Sequence, residues 1–192
     1  MLTHNWIEDH WSLKEYQDKK KKNFEIIDNF LDFVPHNILD IGCGLAWETR
    51  LFQKKYNSKL WLVDGDTNSN NESLTEVGWN PDPKTFAFYH KLDFLDKKLK
   101  ELGTENYQLF DAKKINFPKD LKFDLILSFQ SCGFHYPAST YKDLILNHSH
   151  ETTKIIFDIR YQKRKHYIDT DVEIKNIFIK DIKHVTAEIK FL

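Results

Sequence analysis

Asn37-Ile38-Leu39-Asp40-Ile41-Gly42-Cys43-Gly44-Leu45 is the stretch that decides the fold. Its first five residues form a short apolar run that stops at two glycines. Leu45 to Tyr56 follows with Leu51, Phe52 and Tyr56 on one side, the spacing of a helix. A strand that turns through glycines into a helix brings backbone close to a ligand with no Cβ in the way. The turn lacks the dinucleotide fingerprint, which needs glycine or alanine at position 47, where Trp47 stands. A plain structural turn is the alternative reading.

Outward from this stretch, strands and helices alternate. Upstream, Leu13, Tyr16, Phe24, Ile27, Phe30 and Leu31 give helical periodicity from Ser12 to Phe33, and Pro35 stops it. The N-terminal helix is assigned to 12–34, and the run Asp18-Lys19-Lys20-Lys21-Lys22 reads as its solvated face. Downstream, Lys59–Val63 is a second strand ending at Asp64-Gly65-Asp66. Phe94–Leu102 is helical, and Tyr107–Phe110 is a third strand ending at Asp111-Ala112. Phe123–Phe129 is a fourth strand whose apolar density predicts burial on both faces. A helix over Pro137–Asn147 and a fifth strand over Thr153–Ile159 come next. Val172–Ile179 and Val185–Phe191 alternate in polarity and read as an antiparallel hairpin. Residues 65–91 interrupt the alternation with an insert carrying Trp79, Phe86, Phe88 and Tyr89, a candidate lid.

Alternation of this kind predicts an α/β fold with a mostly parallel sheet covered on both faces. Ligands of such sheets bind outside the carboxyl ends of the strands. Gly42-Cys43-Gly44, Asp64, Asp111 and Gln130-Ser131-Cys132-Gly133 all follow strand ends, so they share one rim.

Asp40-Ile41-Gly42-Cys43-Gly44 resembles the first motif of the class I, Rossmann-like S-adenosylmethionine-dependent methyltransferases. The resemblance covers about residues 12–192 and implies a single-domain, three-layer sandwich. It also implies a seven-stranded sheet of order 3-2-1-4-5-7-6 with an antiparallel terminal hairpin. It implies that Asp40, Gly42, Cys43, Gly44, Ala46 and Trp47 hold the methionine end of the cofactor S-adenosylmethionine. By the same resemblance Asp64 is expected to bind the ribose hydroxyls, Asp111 with Ala112 to face the adenine, and Phe129 to line the cofactor. The residue chemistry agrees, because one carboxylate can accept from two vicinal hydroxyls. Asp64 and Asp111 are equally the residue type that caps a turn. Two departures stand out: Ala46 replaces the usual third glycine, and Tyr161–Asp171 replaces the usual helix between the fifth and sixth strands.

Phe129-Gln130-Ser131-Cys132-Gly133-Phe134-His135-Tyr136-Pro137 lacks the Asn-Pro-Pro-Tyr/Phe pattern of amino-methylating DNA enzymes. His135 is the candidate catalytic base for a hydroxyl acceptor, and a loop histidine held by backbone is the competing reading. The expected activity is methyl transfer to a small-molecule acceptor at a hydroxyl, a sugar among the candidates. The alternatives are a nucleic-acid or protein methyltransferase and a non-catalytic S-adenosylmethionine-binding protein.

Composition narrows the field. The chain has 192 residues, 28 basic and 29 acidic, for a formal net charge of -1, and only Arg50, Arg160 and Arg164 are arginines. A nucleic-acid binder favours a basic excess and arginine forks, so that class is disfavoured. Cys43 and Cys132 form no metal pattern and are expected as reduced packing residues that approach each other at the rim, and no metal site is expected. Met1–His10 has no apolar signal core, and Phe123–Phe129 is too short to span a bilayer, so no membrane partner is expected and the expected location is the cytoplasm.

Overall fold

In the computed structural model, which describes residues 14–65, 91–133, 138–162, 165–168, 170–180 and 184–192, the apolar runs form one mixed sheet. Helix α1 spans Lys14–Phe30, β1 Asn37–Ile41, α2 Trp47–Tyr56, β2 Lys59–Asp64 and α3 Leu92–Glu101. Strand β3 is Tyr107–Asp111 and β4 Phe123–Ser128. A 3₁₀ turn at Ala138–Tyr141 leads into α4, Lys142–Asn147. Strands β5 Ser149–Gln162, β6 Lys165–Tyr167, β7 Val172–Ile179 and β8 His184–Phe191 complete the sheet.

The order is β3-β2-β1-β4-β5-β8-β7, with the short β6 paired to β5 off that path. Pairing is parallel from β3 through β5 and antiparallel at β5–β8 and β8–β7. Leaving β6 aside, this is the expected seven-stranded order with its antiparallel hairpin. Successive side chains of a strand point to opposite faces, so the apolar strands build two cores. Ile38, Leu60, Leu62, Leu125 and Leu127 pack with Ile27, Phe52 and Leu99 of α1, α2 and α3. Leu39, Ile41, Trp61, Val63 and Ile126 pack on the other face with Ile145 of α4 and with Val185 and Ala187 of β8.

Three expectations change. Helix α2 starts at Trp47 instead of Leu45, because Ala46 takes a left-handed backbone (φ 47°) and donates its N–H to the Cys43 carbonyl at 2.7 Å. The fifth strand runs past its expected end. Ser128, the last residue of β4, pairs with Phe157, and β5 continues to Gln162 before folding back as β6. Five residues at about 3.3 Å each carry it about 16 Å beyond the β4 rim. A strand left alone would expose its backbone groups, and pairing of Arg160, Tyr161 and Gln162 with Tyr167, His166 and Lys165 satisfies them. Part of the stretch expected only to stand in for a helix is thus a strand. Third, the two cysteines are free and buried, but Cys43 belongs to the α1 side and Cys132 to the α4 side.

Candidate functional site

The rim is built from the ends of β1, β2 and β4. Gly42 and Cys43 donate their N–H groups to the Val63 carbonyl at 2.8 and 3.1 Å, which turns the chain sharply out of β1 and across the end of β2. Gly42 has φ 72°, a region that side chains avoid, and a Cβ there would lie 2.1 Å from Ser131 Oγ and 2.3 Å from Ser131 Cβ. The loop after β4 therefore sits directly on this glycine. Ser128 Oγ ties the two strands together by donating to the Ile41 carbonyl at 2.9 Å and accepting the Cys132 N–H at 2.8 Å.

Asp64 ends β2 with its carboxylate over the glycine loop. Oδ2 accepts the Gly44 N–H and Oδ1 the Gly65 N–H, both at 2.7 Å. Burial pushes its pKa up to about 6, against the pull of those two donors. Asp40 is 3% exposed, accepts the Thr49 hydroxyl, and is pushed up to about 7, mainly by burial and further by Glu48. The Cys43 thiol is also driven up by burial and by the two carboxylates beside it.

Asp111 lies level with Asp64 in the β2–β3 register, and the Ala112 N–H bonds the Asp64 carbonyl at 2.8 Å. Its Oδ1 accepts the Lys113 N–H at 2.9 Å, the capping arrangement that its sequence also allowed. Asp111→Ala should lower stability by about 1 kcal/mol through loss of that cap. Chemical denaturation reads this, and no change at all would free Asp111 from a turn role. Phe129 packs with the α1-side core, next to the glycine loop. Trp47 has Tyr16 edge-on at 6.5 Å and the Arg50 guanidinium 5.1 Å above its ring, and its buried indole N–H has no partner among the described residues. His135 and residues 66–90 of the candidate lid lie outside the described residues.

Several site residues escape sequence reasoning. Lys20, inside a run read as a solvated face, has a side chain only 12% exposed and reaches Glu48 Oε1 at 2.9 Å. Asn23 Nδ2 donates to the same Glu48 oxygen at 3.1 Å, so two groups of α1 fasten it to the first turn of α2. Lys20 shares the helical phase of Ile27, seven residues on, whereas Lys19, Lys21 and Lys22 are exposed. Beyond β4, Asp158 is 1% exposed and accepts Lys180 Nζ at 2.7 Å and the Thr186 hydroxyl at 2.6 Å. An acid inside Ile155-Ile156-Phe157-Asp158-Ile159 was the available signal, since an apolar strand tolerates a buried carboxylate only with partners.

The rim therefore concentrates buried carboxylates, backbone N–H donors and an orphaned indole N–H around a turn with no side chain at Gly42. Such a surface suits a ligand with cationic and hydroxyl groups. Among the described residues no group of three or more His, Cys, Asp or Glu could hold a metal ion, and no helix is long and apolar enough to cross a membrane.

No family model and no curated protein matches the chain. Solved structures do. The plantazolicin methyltransferase BpumL in complex with SAH is 17% identical, with a TM-score of 0.54 over 82% of this chain and 53% of that one. The PH0226 protein from Pyrococcus horikoshii OT3 is 11% identical, with a TM-score of 0.59 over 92% of both chains. Magnesium protoporphyrin IX methyltransferase (ChlM) from Synechocystis PCC 6803 with bound SAM is 13% identical, with a TM-score of 0.50 over 91% of this chain and 78% of that one. The chain thus spans about half the length of BpumL, one of the first solved structures it matches. At such identities the likeness is one of architecture. Strand order, terminal hairpin and these neighbours agree: the chain has the fold of the class I, Rossmann-like S-adenosylmethionine-dependent methyltransferases.

Proposed function

We propose that the chain is an S-adenosylmethionine-dependent methyltransferase acting on a hydroxyl of a small-molecule acceptor. The observation that carries this reading is Asp64, a buried carboxylate at the end of β2 that closes over the glycine loop. Oδ1 accepts the Gly65 N–H and keeps a lone pair for one ribose hydroxyl, and Oδ2 accepts the Gly44 N–H and, at 3.8 Å, the Cys43 thiol, a weak donor that a second ribose hydroxyl would displace. The buried Asp40, and Glu48 with its Lys20 partner, line the turn proposed to face the methionine end, and Trp47 supplies a donor that has no partner among the described residues. Asp111, Ala112 and Phe129 complete the proposed cofactor wall. S-adenosylmethionine, when bound, would supply an electrophilic methyl group for the acceptor oxygen, with the S–C electron pair left on sulfur and the hydroxyl proton to be removed. His135 is the proposed acceptor of that proton. The protein's contribution is orientation of the acceptor and exclusion of water.

Calorimetry with S-adenosylmethionine and S-adenosylhomocysteine tests the reading. Wild type should bind both, and Asp64→Ala should bind about tenfold to a hundredfold more weakly, the cost of one charge-assisted acceptor. Absence of binding to wild type would overturn the proposal, and binding of NAD instead would replace it.

A further inference from the structure

Lysines are rarely buried, and a buried ion pair adds little stability over apolar packing of the same volume. Lys180 is such a lysine. It closes β7, its side chain is 11% exposed, and its ammonium sits 2.7 Å from the fully enclosed Asp158. Asp158 has no further role to give, because Thr186 occupies its other oxygen at 2.6 Å. The ammonium has three N–H groups, and among the described residues it donates to Asp158 alone. Two aromatic rings wall it: the centroids of Phe129 and Phe178 are each 5.6 Å away.

The place of this ammonium matters as much as its surroundings. Phe129 directly follows Ser128, which is bonded to Ile41 just before the glycine loop. Lys180 is thus one aromatic ring from the loop proposed to hold the methionine end, yet it belongs to the other half of the sheet. An ammonium that among the described residues donates only to Asp158, and that is held between two aromatic rings, favours an oxygen that bears negative charge.

Resting on the methyltransferase reading, we propose that Lys180 binds the acceptor's reacting oxygen and that the acceptor is a flat phenol or enol. The ammonium favours the ionised oxygen: the O–H bond breaks, its electron pair stays on oxygen, and the proton passes to the general base of the proposed reaction or, in a titration of ligand alone, to buffer. Saturated alcohols such as sugar hydroxyls, which ionise far less readily, fit this niche poorly. Asp158 and Thr186 are positioning residues that aim the ammonium.

Para-nitrophenol is the probe, because its absorbance reports ionisation directly. Bound to wild type loaded with S-adenosylhomocysteine, its pKa should fall by roughly one unit or more. Lys180→Met should abolish that fall and weaken para-nitrophenol binding about tenfold or more, with S-adenosylhomocysteine affinity unchanged. Because Lys180→Met leaves Asp158 buried without its cation, Lys180→Met/Asp158→Asn is measured beside it and should behave alike while keeping the wild-type Tm within a few degrees. Lys180→Arg should retain most of the pKa fall. No saturable binding of para-nitrophenol to wild type, or an undiminished pKa fall in both variants, would overturn the assignment. Each titration is repeated without S-adenosylhomocysteine, so loss of cofactor binding, which sinks the methyltransferase reading, is seen separately from loss of the phenol site.

Discussion

Gly42→Ala should lose about 2–5 kcal/mol of stability and all measurable affinity for S-adenosylhomocysteine. Two costs add. The left-handed backbone at φ 72° costs an alanine about 1–2 kcal/mol. The new methyl would overlap Ser131, whose Oγ and Cβ lie 2.1 and 2.3 Å from it. Rotating the hydroxyl does not relieve a clash with Ser131 Cβ, so the loop after β4 must move, at about 1–3 kcal/mol. Gly103→Ala is the control: its φ is 69°, but nothing lies within 4 Å of the added carbon, so only the backbone cost applies. Ser131→Gly in the Gly42→Ala background should recover the steric share and leave the backbone share. Calorimetric unfolding of the four proteins measures this. Equal losses for Gly42→Ala and Gly103→Ala would show that the β4 loop does not press on the glycine turn.

Raising the pH from about 4 to about 7 should destabilise the ligand-free protein. Burial is the main cause, lifting Asp40 from 3.8 to about 7 and Asp64 from 3.8 to about 6. Both groups hold their proton in the fold at a pH where the unfolded chain has lost it. Their contribution is therefore full below the unfolded value and is lost as pH rises through about 6 to 7. A change from 3.8 to about 7 corresponds to roughly 4 kcal/mol for Asp40. Lys20, raised chiefly by Glu48 against the opposing and larger effect of burial, remains charged throughout this window and does not mask the trend. The Tm should fall between about pH 4 and pH 7, and Asp40→Asn, which keeps an oxygen for Thr49, should remove most of the fall. A flat Tm in wild type, or an equal slope in Asp40→Asn, would mean that Asp40 ionises freely in the fold.

Strand and helix periods made the architecture legible before any coordinates. The five apolar runs, three of them ending in glycine or aspartate, and the alternating pair at the end carry their own geometry, because burial on two faces and on one face leave different patterns. The strand-end aspartates were legible for the same reason: a carboxylate after an apolar run must lie at a rim. The β5–β6 extension was not, since Tyr161–Asp171 is polar and pairs only because β5 outruns β4.

What the sequence by itself determined is the order of elements, the glycine turn and the rim on which that turn, Asp64 and Asp111 follow strand ends. Local chemistry suffices there, because a strand, a turn and a cap are each specified within a few residues. Only the tertiary structure decided which charges became buried partners. Lys20 and Glu48 are 28 positions apart, and Asp158 and Lys180 are 22 apart. A lysine in a polar run looks the same whether it meets water or a carboxylate. The difference arises when α1 packs on α2 and the terminal hairpin closes on β5, which removes water and leaves the nearest opposite charge to replace it.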